Sequence, residues 1–478
     1  MIKVIKMKKI INKVFVVWIL LACNQSVFAK SQMEDIQGAW LGTMEIPEGP
    51  SLRIGIEIFK KADGNWGGNI ASLDQGARYM MVSSVNIEND VFTLQMAGAP
   101  VSVVGKISSN NRVISAKFNQ GGSVFDLELN NVSALPEIER LQTPKIIDSY
   151  IQKEVRYKNP NDNVWLSGTL TLPNDTNNHP AVMLVAGSGP NHRDSYHAGH
   201  RTFKVLADYL TKLGYIVLRS DKRGVYKSSG SYEDGTLNDL ILDTQAAVQH
   251  LKSHKRVEPD KIIIIGHSEG SLVSIMTAEH EKVQGLISLA GPGMSVLDIL
   301  LLQDQTEPAA KGATKTETDI LLNFSQRFYS MVLNTHSSEL RKQKATELYR
   351  NLKGYEAEVI GKWVNKNNGT LSLDSAQSDS FYKFLQQNPL PYWNKFKGKA
   401  LILNGDKDSQ VPANENVTGI VNAITARGSS VESKVFKGLN HLFQPAKTGS
   451  VDEYKDIEQT IDTKVLAEIS TWLEHNFD

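Results

Sequence analysis

The sequence is poor in cysteine and has no excess of charge of either sign. Of its 478 residues only Cys23 is a cysteine, so no disulfide forms within the chain and packed cores must hold each domain. The 52 basic and 52 acidic residues give a formal net charge of zero, which leaves no electrostatic argument for nucleic acid as a partner. The length, with 41% hydrophobic residues, predicts two or three domains.

Long hydrophobic runs are also scarce. The run Val14 to Ala22 follows a basic segment and precedes the polar Asn24 to Ser26, which is the order of a secretory signal. At about nine residues it falls short of the roughly 20 that a membrane-spanning helix needs. Residues 1–29 are therefore predicted to be a signal peptide, and the protein to be exported to the periplasm or secreted.

Two ways of processing this signal fit the residues. Cleavage after Val27-Phe28-Ala29 is favoured, because Asn24 to Ala29 forms an ordinary cleavage region. The alternative is lipid attachment at Cys23 within Leu20-Leu21-Ala22-Cys23, and only then is a membrane expected as a partner. If cleavage occurs, Cys23 is a bystander in a discarded peptide.

Residues 34 to 134 predict a small all-β domain. Leu52, Ile54, Ile56 and Ile58 alternate with smaller or polar residues, as do Phe125, Leu127 and Leu129, and a period of two is typical of strands with one buried face. Candidate turns between such runs are Asp63-Gly64, Gly67-Gly68, Asn110-Asn111 and Gly121-Gly122. The pattern indicates an antiparallel barrel or sandwich.

A polar stretch from Leu135 to Lys145, bracketed by two prolines, separates this domain from residues 145 to 478. There, apolar runs that predict strands alternate with helical stretches; the runs are Ala181 to Val185, Tyr215 to Leu218, Lys261 to Ile265, Leu286 to Leu289 and Ala400 to Leu403. Such alternation predicts an α/β domain, with a doubly wound, mostly parallel sheet and helices on both faces.

Residues 292 to 397 interrupt that rhythm with helical periodicity. Leu321, Phe324, Phe328 and Met331 follow near-helical spacing. A connection this long inside a compact domain is expected to have structure of its own. We therefore predict a helical cap inserted over the carboxyl edge of the sheet; the alternative is a loose excursion.

The first chemical motif is Gly266-His267-Ser268-Glu269-Gly270, between the four-isoleucine run ending at Ile265 and an apolar helical stretch. A serine on a tight turn from strand to helix is typical of a nucleophile elbow, and the flanking glycines leave room for that turn. The helix start would let the amide of Glu269 stabilise an oxyanion. The alternative is an ordinary serine in a glycine-flanked turn.

A serine nucleophile needs a base and an acid that orients the base, in the chain order serine, acid, histidine. Asp406 and Asp408 compete for the acid position after the strand ending at Leu403. Asp408 is favoured because it lies further past the strand end, whereas Asp406 can cap the loop. His441, on the loop after the predicted last strand, is the candidate base.

The loop after the first central strand, at Gly187-Ser188-Gly189, is expected to supply the second oxyanion donor, from Ser188 or Gly189. His192, His197 and His200 follow. Their spacing is not that of a helical ligand pair and no carboxylate cluster accompanies them, so we interpret them as surface-loop histidines rather than a metal site. No metal and no other cofactor is expected.

These motifs resemble bacterial α/β-hydrolases of the EstD esterase type, related to the dipeptidyl aminopeptidase and acylaminoacyl peptidase superfamily. The resemblance covers residues 150 to 478, and the segments that carry it are Gly187 to Asp194, Leu218 to Gly224, Gly266 to Gly270, Gly405 to Val411 and Leu439 to Gln444. Departures from the family pattern are His192, Ser271 and Asn388, and none of them is a predicted triad residue.

The resemblance implies an α/β-hydrolase fold in which the cap shapes an acyl pocket. It also implies that the triad is Ser268, Asp408 and His441. The protein is then expected to be a carboxylesterase that acts without a cofactor on small-molecule esters with short to medium acyl chains. The oligomeric state is not indicated.

Two other functions are compatible with the sequence. The same triad cleaves amides, so a serine peptidase or aminopeptidase is one alternative, although the N-terminal domain is too small for the propeller of the related peptidases. The other is a glycan- or envelope-binding protein that uses Trp40, Trp66 and Tyr79 of the β-domain; core packing is the favoured interpretation of these aromatics.

Overall fold

The computed structural model describes residues 33–145, 149–366 and 369–477. The predicted signal segment, with Cys23 and both processing sites, lies outside these residues. Within the described ranges no helix has both the length and the hydropathy required to cross a membrane. The described residues divide into two compact units, the first ending at Glu137 and the second beginning at Ile138.

The first unit is a closed antiparallel barrel of strands β1 to β8. The strands are β1 Gly38–Met44, β2 Leu52–Lys60, β3 Trp66–Ser72, β4 Ala77–Glu88, β5 Val91–Met96, β6 Val101–Ile107, β7 Val113–Gln120 and β8 Ser123–Val132, with a 3₁₀ turn at Leu73–Gln75. Pairing of β1 with β8 closes the barrel, so no strand edge is left unpaired. The predicted all-β fold is confirmed, and it is a barrel rather than a sandwich.

The interior of the barrel is packed with apolar side chains. Trp40, Ile56, Phe92 and Leu129 are fully buried in it, and the indole Nε1 of Trp40 donates to the carbonyl oxygen of Ile36 at 2.9 Å. Trp40 is therefore a core residue and offers no surface to a sugar.

The prediction of a turn at Gly67-Gly68 was wrong, because both glycines lie inside β3. A Cβ atom on Gly68 would lie 2.8 Å from the carbonyl oxygen of Glu57 and 3.1 Å from Cγ2 of Val85. The glycine therefore permits a close approach within the barrel wall and is not a chain reversal.

The second unit is built on an eight-stranded sheet in the order β18-β17-β16-β15-β11-β14-β10-β9. The strands are β9 Tyr150–Lys158, β10 Trp165–Pro173, β11 His179–Val185, β14 Ile216–Ser220, β15 Val257–His267, β16 Gly285–Leu289, β17 Lys399–Gly405 and β18 Glu432–Phe436; a separate two-stranded ribbon comprises β12 Tyr196–His197 and β13 His200–Arg201. Strands β9 and β10 are antiparallel and were not predicted. The other strands of the large sheet run parallel.

Apolar cores cover both faces of this sheet. In β15, Ile262 and Ile264 point into one core, and Ile263 and Ile265 into the other, which explains why the strand is continuously apolar. The helices of this unit outside the segment between β16 and β17 are α1 Thr202–Lys212, α2 Leu237–Ser253, α3 Glu269–Thr277, α11 Ala413–Thr425 and α12 Thr463–Phe477. The doubly wound architecture is confirmed.

The segment between β16 and β17 is helical in its described residues. Its helices are α4 Val296–Ala310, α5 Lys315–Leu333, α6 Ser338–Arg350, α7 Gly354–Trp363, α8 Leu373–Gln377, α9 Asp379–Leu385 and α10 Leu390–Lys395. In α5, Leu321, Phe324 and Phe328 are buried as their spacing predicts. The Thr306 hydroxyl of α4 donates at 2.5 Å to the carbonyl oxygen of Ser409, which follows β17, so the first helix of this insertion contacts the carboxyl edge of the sheet; its role as a cap stays a prediction.

Candidate active site

Ser268 lies at the junction of β15 and α3 with φ 56° and ψ −127°. Backbone in this region is strained for a residue with a side chain, and such strain clusters at functional sites. A Cβ atom on Gly266 would lie 2.4 Å from the carbonyl oxygen of Gly270, and one on Gly270 would lie 2.1 Å from that of Val185. Both glycines are thus required by the tight turn that presents Ser268.

The structure brings His441 and Asp408 together. Nδ1 of His441 lies 2.7 Å from Oδ2 of Asp408, and both side chains are buried. The other carboxylate oxygen, Oδ1, accepts from the backbone amides of Gln410 at 2.9 Å and Val411 at 2.8 Å. The carboxylate is therefore fixed, and it favours the imidazole tautomer with the proton on Nδ1, which leaves Nε2 as the basic nitrogen.

Asp406, the competing acid, lies away from this pair. Asp406 is exposed, and its Oδ1 accepts from the amide of Gly438 at 2.6 Å. This contact braces the start of the loop that carries His441.

A second histidine connects the His441 loop to the elbow. Nε2 of His267 lies 2.9 Å from the carbonyl oxygen of His441, and the two rings are 4.7 Å apart between centroids. Burial, followed by the nearby His441, holds the pKa of His267 well below its ordinary value, so the ring is neutral and donates its Nε2 proton to that carbonyl. Because His267 directly precedes Ser268, this bond ties the backbone of the His441 loop to the residue next to the predicted nucleophile.

The loop after β11 lies beside the elbow. A Cβ atom on Gly187 would be 3.0 Å from Cβ of Ser268, so the backbone of the loop approaches the nucleophile closely. The Gly189 amide donates to the Tyr232 hydroxyl at 2.9 Å. This bond occupies one of the two predicted loop donors, and the oxyanion roles of Ser188 and of the Glu269 amide at the start of α3 stay predictions.

The sequence pattern of the family described as alpha/beta hydrolase fold matches residues 180–445. This match spans more than half of the chain and includes the elbow, the Asp408 loop and His441. The chain belongs to the α/β-hydrolase family.

Individual relatives of this α/β hydrolase are distant in sequence. Esterase EstD of Thermotoga maritima is 23% identical over 423 residues, which are 85% of this chain and 90% of that protein; the resemblance to the EstD type is confirmed. Protein bem46 of Schizosaccharomyces pombe is 27% identical over 172 residues, 35% of this chain and 54% of that protein.

Solved structures similar to this hydrolase include the Pyrococcus furiosus esterase Pf2001. It is 18% identical, with 71% of this chain and 99% of that chain covered and a TM-score of 0.39. Another is the hypothetical protein PA2218 from Pseudomonas aeruginosa. It is 14% identical, with 73% of this chain and 100% of that chain covered and a TM-score of 0.45.

The prediction that the three histidines after Gly189 lie at the surface was wrong. His192 and His200 are buried, and His197 is half-buried. Nδ1 of His200 lies 2.9 Å from the Thr460 hydroxyl, and its Nε2 lies 2.9 Å from a backbone carbonyl oxygen. Among the described residues no group of three or more His, Cys, Asp or Glu side chains is placed to hold a metal ion.

A buried ion network anchors the far end of the loop that follows β11 in this α/β hydrolase. Arg193 donates to both carboxylate oxygens of Asp221, at 3.0 and 2.6 Å, and Asp194 accepts from Arg219 and Arg201, each at 2.9 Å. Burial alone would raise the pKa of Asp194, but these charges outweigh it and hold the pKa well below its usual range. Sequence reasoning missed this network, because its members come from separate segments.

Proposed function

We propose that the protein is a serine carboxylesterase that hydrolyses short to medium acyl esters through an acyl-enzyme on Ser268. The observation that carries the proposal is the buried Asp408–His441 pair at 2.7 Å, held beside a strained elbow by His267. This arrangement activates a hydroxyl nucleophile. The similarity to Esterase EstD supports an ester as the substrate.

In the first step the Ser268 hydroxyl oxygen attacks the ester carbonyl carbon while Nε2 of His441 takes the hydroxyl proton. The amides of Glu269 and Ser188 donate to the resulting oxyanion. Loss of one such donor typically costs about 3 kcal/mol in the transition state. Collapse of the tetrahedral intermediate breaks the bond to the alcohol, which leaves with the proton from His441.

In the second step His441 takes a proton from water as the water attacks the acyl-enzyme. The second tetrahedral intermediate releases the carboxylic acid and returns the proton to Ser268. The buried Asp408 carboxylate stabilises the imidazolium that forms twice in each cycle. All groups used belong to this chain, apart from the ester and one water molecule.

The test is steady-state hydrolysis of p-nitrophenyl esters of increasing acyl length, next to matched peptide anilides, by the protein without residues 1–29. We expect ester turnover that declines beyond a certain acyl length and is lost in Ser268→Ala. Anilide turnover equal to or above ester turnover would replace the proposal with a peptidase. Hydrolysis of no ester, with binding of the isolated barrel to polysaccharide, would point instead to the envelope-binding alternative, which the burial of Trp40 disfavours.

We also propose that residues 1–29 direct export, supported by their basic, apolar and polar order. Expression of the whole chain in a bacterium, followed by fractionation and mass analysis of the mature N-terminus, tests this. A mature chain beginning at Lys30 is expected. A lipid-bearing N-terminus at Cys23 that is lost in Cys23→Ser would establish the lipoprotein alternative, and an unprocessed chain in the cytoplasm would overturn export.

A further inference from the structure

Lys222 contacts both segments that supply the oxyanion donors. It follows β14, and its side chain is 10% exposed. Its Nζ donates to the carbonyl oxygen of Gly187 at 2.5 Å and lies 3.2 Å from Oε1 of Glu269. One ammonium group thus joins the loop after β11 to the first residue of α3.

These two contacts lie next to the proposed oxyanion donors along the chain. The Gly187 carbonyl belongs to the same peptide unit as the Ser188 amide, so a bond to that oxygen orients the peptide plane and its N–H. Glu269 carries the other donor amide itself. Hydrogen bonds from an ammonium group are stronger than neutral ones, and a lysine has three donors with which to reach both acceptors. The ammonium therefore restricts the separation and orientation of the two amides.

Tyr232 braces the same loop from another segment of the chain. Its hydroxyl accepts from the Gly189 amide at 2.9 Å, and its ring centroid lies 5.5 Å from Nζ of Lys222, within the range of a cation–π contact. Burial, followed by the negative charge of Glu269, raises the pKa of Tyr232. The hydroxyl therefore stays protonated and accepts the amide as a neutral group.

The charge of Glu269 adds a second requirement. A carboxylate beside the nucleophile repels the oxyanion that develops in the transition state, and such repulsion is strong where water is excluded. Its pairing with Lys222 offsets that repulsion.

We propose that Lys222 is a positioning residue for the oxyanion hole: its bonds to Gly187 and Glu269 hold the amides of Ser188 and Glu269 where the oxyanion forms. The inference rests on the proposed serine hydrolase mechanism and assigns the lysine no contact with the substrate. It acts through the backbone, so its loss reduces binding of the transition state and leaves binding of the ester largely unchanged.

The test compares Lys222→Met and Lys222→Arg with Lys252→Met. Lys252 is a matched control, because it pairs with Glu281 at 3.0 Å with a side chain 19% exposed and lies in α2, outside the proposed machinery. For Lys222→Met we expect kcat to fall about tenfold to a hundredfold with KM changed less than twofold. The affinity for a trifluoromethyl ketone, which forms an oxyanion on the enzyme, is expected to fall by the same factor as kcat/KM. Lys222→Arg should recover part of this loss, and Lys252→Met should match the wild type.

The double variant Lys222→Met/Glu269→Gln separates positioning from charge. Glu269→Gln removes the repelling charge, so the double variant is expected to regain only the part of kcat that charge explains. Full recovery to the wild-type kcat would show that Lys222 only neutralises Glu269 and would overturn positioning. Wild-type kcat in Lys222→Met alone would also overturn it.

Labelling of Ser268 by a fluorophosphonate keeps the test independent of the substrate. The phosphoryl oxygen uses the same donors as the ester oxyanion, so labelling of Lys222→Met is expected to be at least tenfold slower than that of the wild type. If the wild type hydrolyses no ester, the proposed function fails while this rate still decides the role of Lys222. Should Lys222→Met not fold, Lys222→Gln, which keeps a polar side chain at this position but lacks the ammonium group that joins Gly187 to Glu269, provides the second variant; labelling at the wild-type rate would then contradict the inference.

Discussion

Replacement of Asp408 by asparagine exchanges one carboxylate oxygen for an NH₂ group, and the structure indicates how the new side chain is oriented. Oδ1 of Asp408 accepts from two backbone amides, those of Gln410 and Val411, so the asparagine carbonyl oxygen is expected to take that place. Its NH₂ group then faces Nδ1 of His441, which lay 2.7 Å from the replaced oxygen. To accept from NH₂, the imidazole must move its proton to Nε2.

A histidine protonated on Nε2 cannot take the proton of Ser268. In a serine hydrolase with a Ser-His-Asp triad, the equivalent change lowers kcat by about 10⁴. That loss corresponds to about 5 kcal/mol in the activation free energy. We expect a loss of similar size for Asp408→Asn, with KM little changed. The assay is stopped-flow hydrolysis of a p-nitrophenyl ester, with circular dichroism to show that the fold is retained.

Asp406→Asn is the matched control in the same loop. Its Oδ1 accepts from the Gly438 amide, and an asparagine oxygen can accept the same bond, so we expect kcat within about threefold of the wild type, well below the penalty of a lost catalytic contact. A kcat for Asp408→Asn within tenfold of the wild type, or a larger loss in Asp406→Asn, would refute the assignment of the acid.

Three further perturbations test the surroundings of the site. Gly187→Ala places a methyl group 3.0 Å from Cβ of Ser268, so we expect kcat to fall at least about tenfold; unchanged ester kinetics would contradict the close approach. Arg193→Met leaves the buried Asp221 carboxylate without its bidentate partner, and urea unfolding is expected to show a loss of about 3–5 kcal/mol, whereas a loss below 1 kcal/mol would contradict a structural network. Burial raises the pKa of Asp304 to about 6 from 3.8. The protonated carboxyl therefore contributes up to about 3 kcal/mol to stability, a contribution that is complete below about pH 4 and is lost as pH rises through 6. Thermal melting of Asp304→Asn should lack this pH dependence, and a pH profile identical to that of the wild type would contradict it.

Local pattern was sufficient for the parts of the fold in which one segment determines its own structure. The four isoleucines of β15 and the glycines around Ser268 predict a buried strand and a tight turn, because neighbouring residues alone impose them. The order of Ser268, Asp408 and His441 then placed three distant residues in one candidate site. The distance between Asp408 and His441 agrees with that arrangement.

The sequence pattern was insufficient where contacts between distant segments determine the local structure. Gly67-Gly68 has the composition of a turn but lies in a strand, since the need for glycine comes from Glu57 and Val85 on the opposing backbone and neighbouring strand. The burial of His192 and His200 likewise depends on residues far along the chain, such as Asp221 and Thr460. No periodicity in the loop itself signals such burial.

The supporting residues of the site were missed for the same reason. Lys222 precedes Glu269 by 47 positions and Tyr232 follows Gly189 by 43, and neither belongs to a spacing that has meaning in a single helix or strand. His267 stands inside the elbow motif, but its bond to the His441 carbonyl appears only when the two loops meet. A sequence without aligned relatives does not show these pairings.

The proposed mechanism cleaves the ester through a covalent intermediate on Ser268. The most direct measurement is acid quenching of the protein during turnover of a p-nitrophenyl ester, followed by peptide mapping by mass spectrometry. We expect one acyl group on the peptide that contains Ser268, formed in the wild type and not in Ser268→Ala. Acylation at another residue, or continued ester turnover in Ser268→Ala, would contradict it.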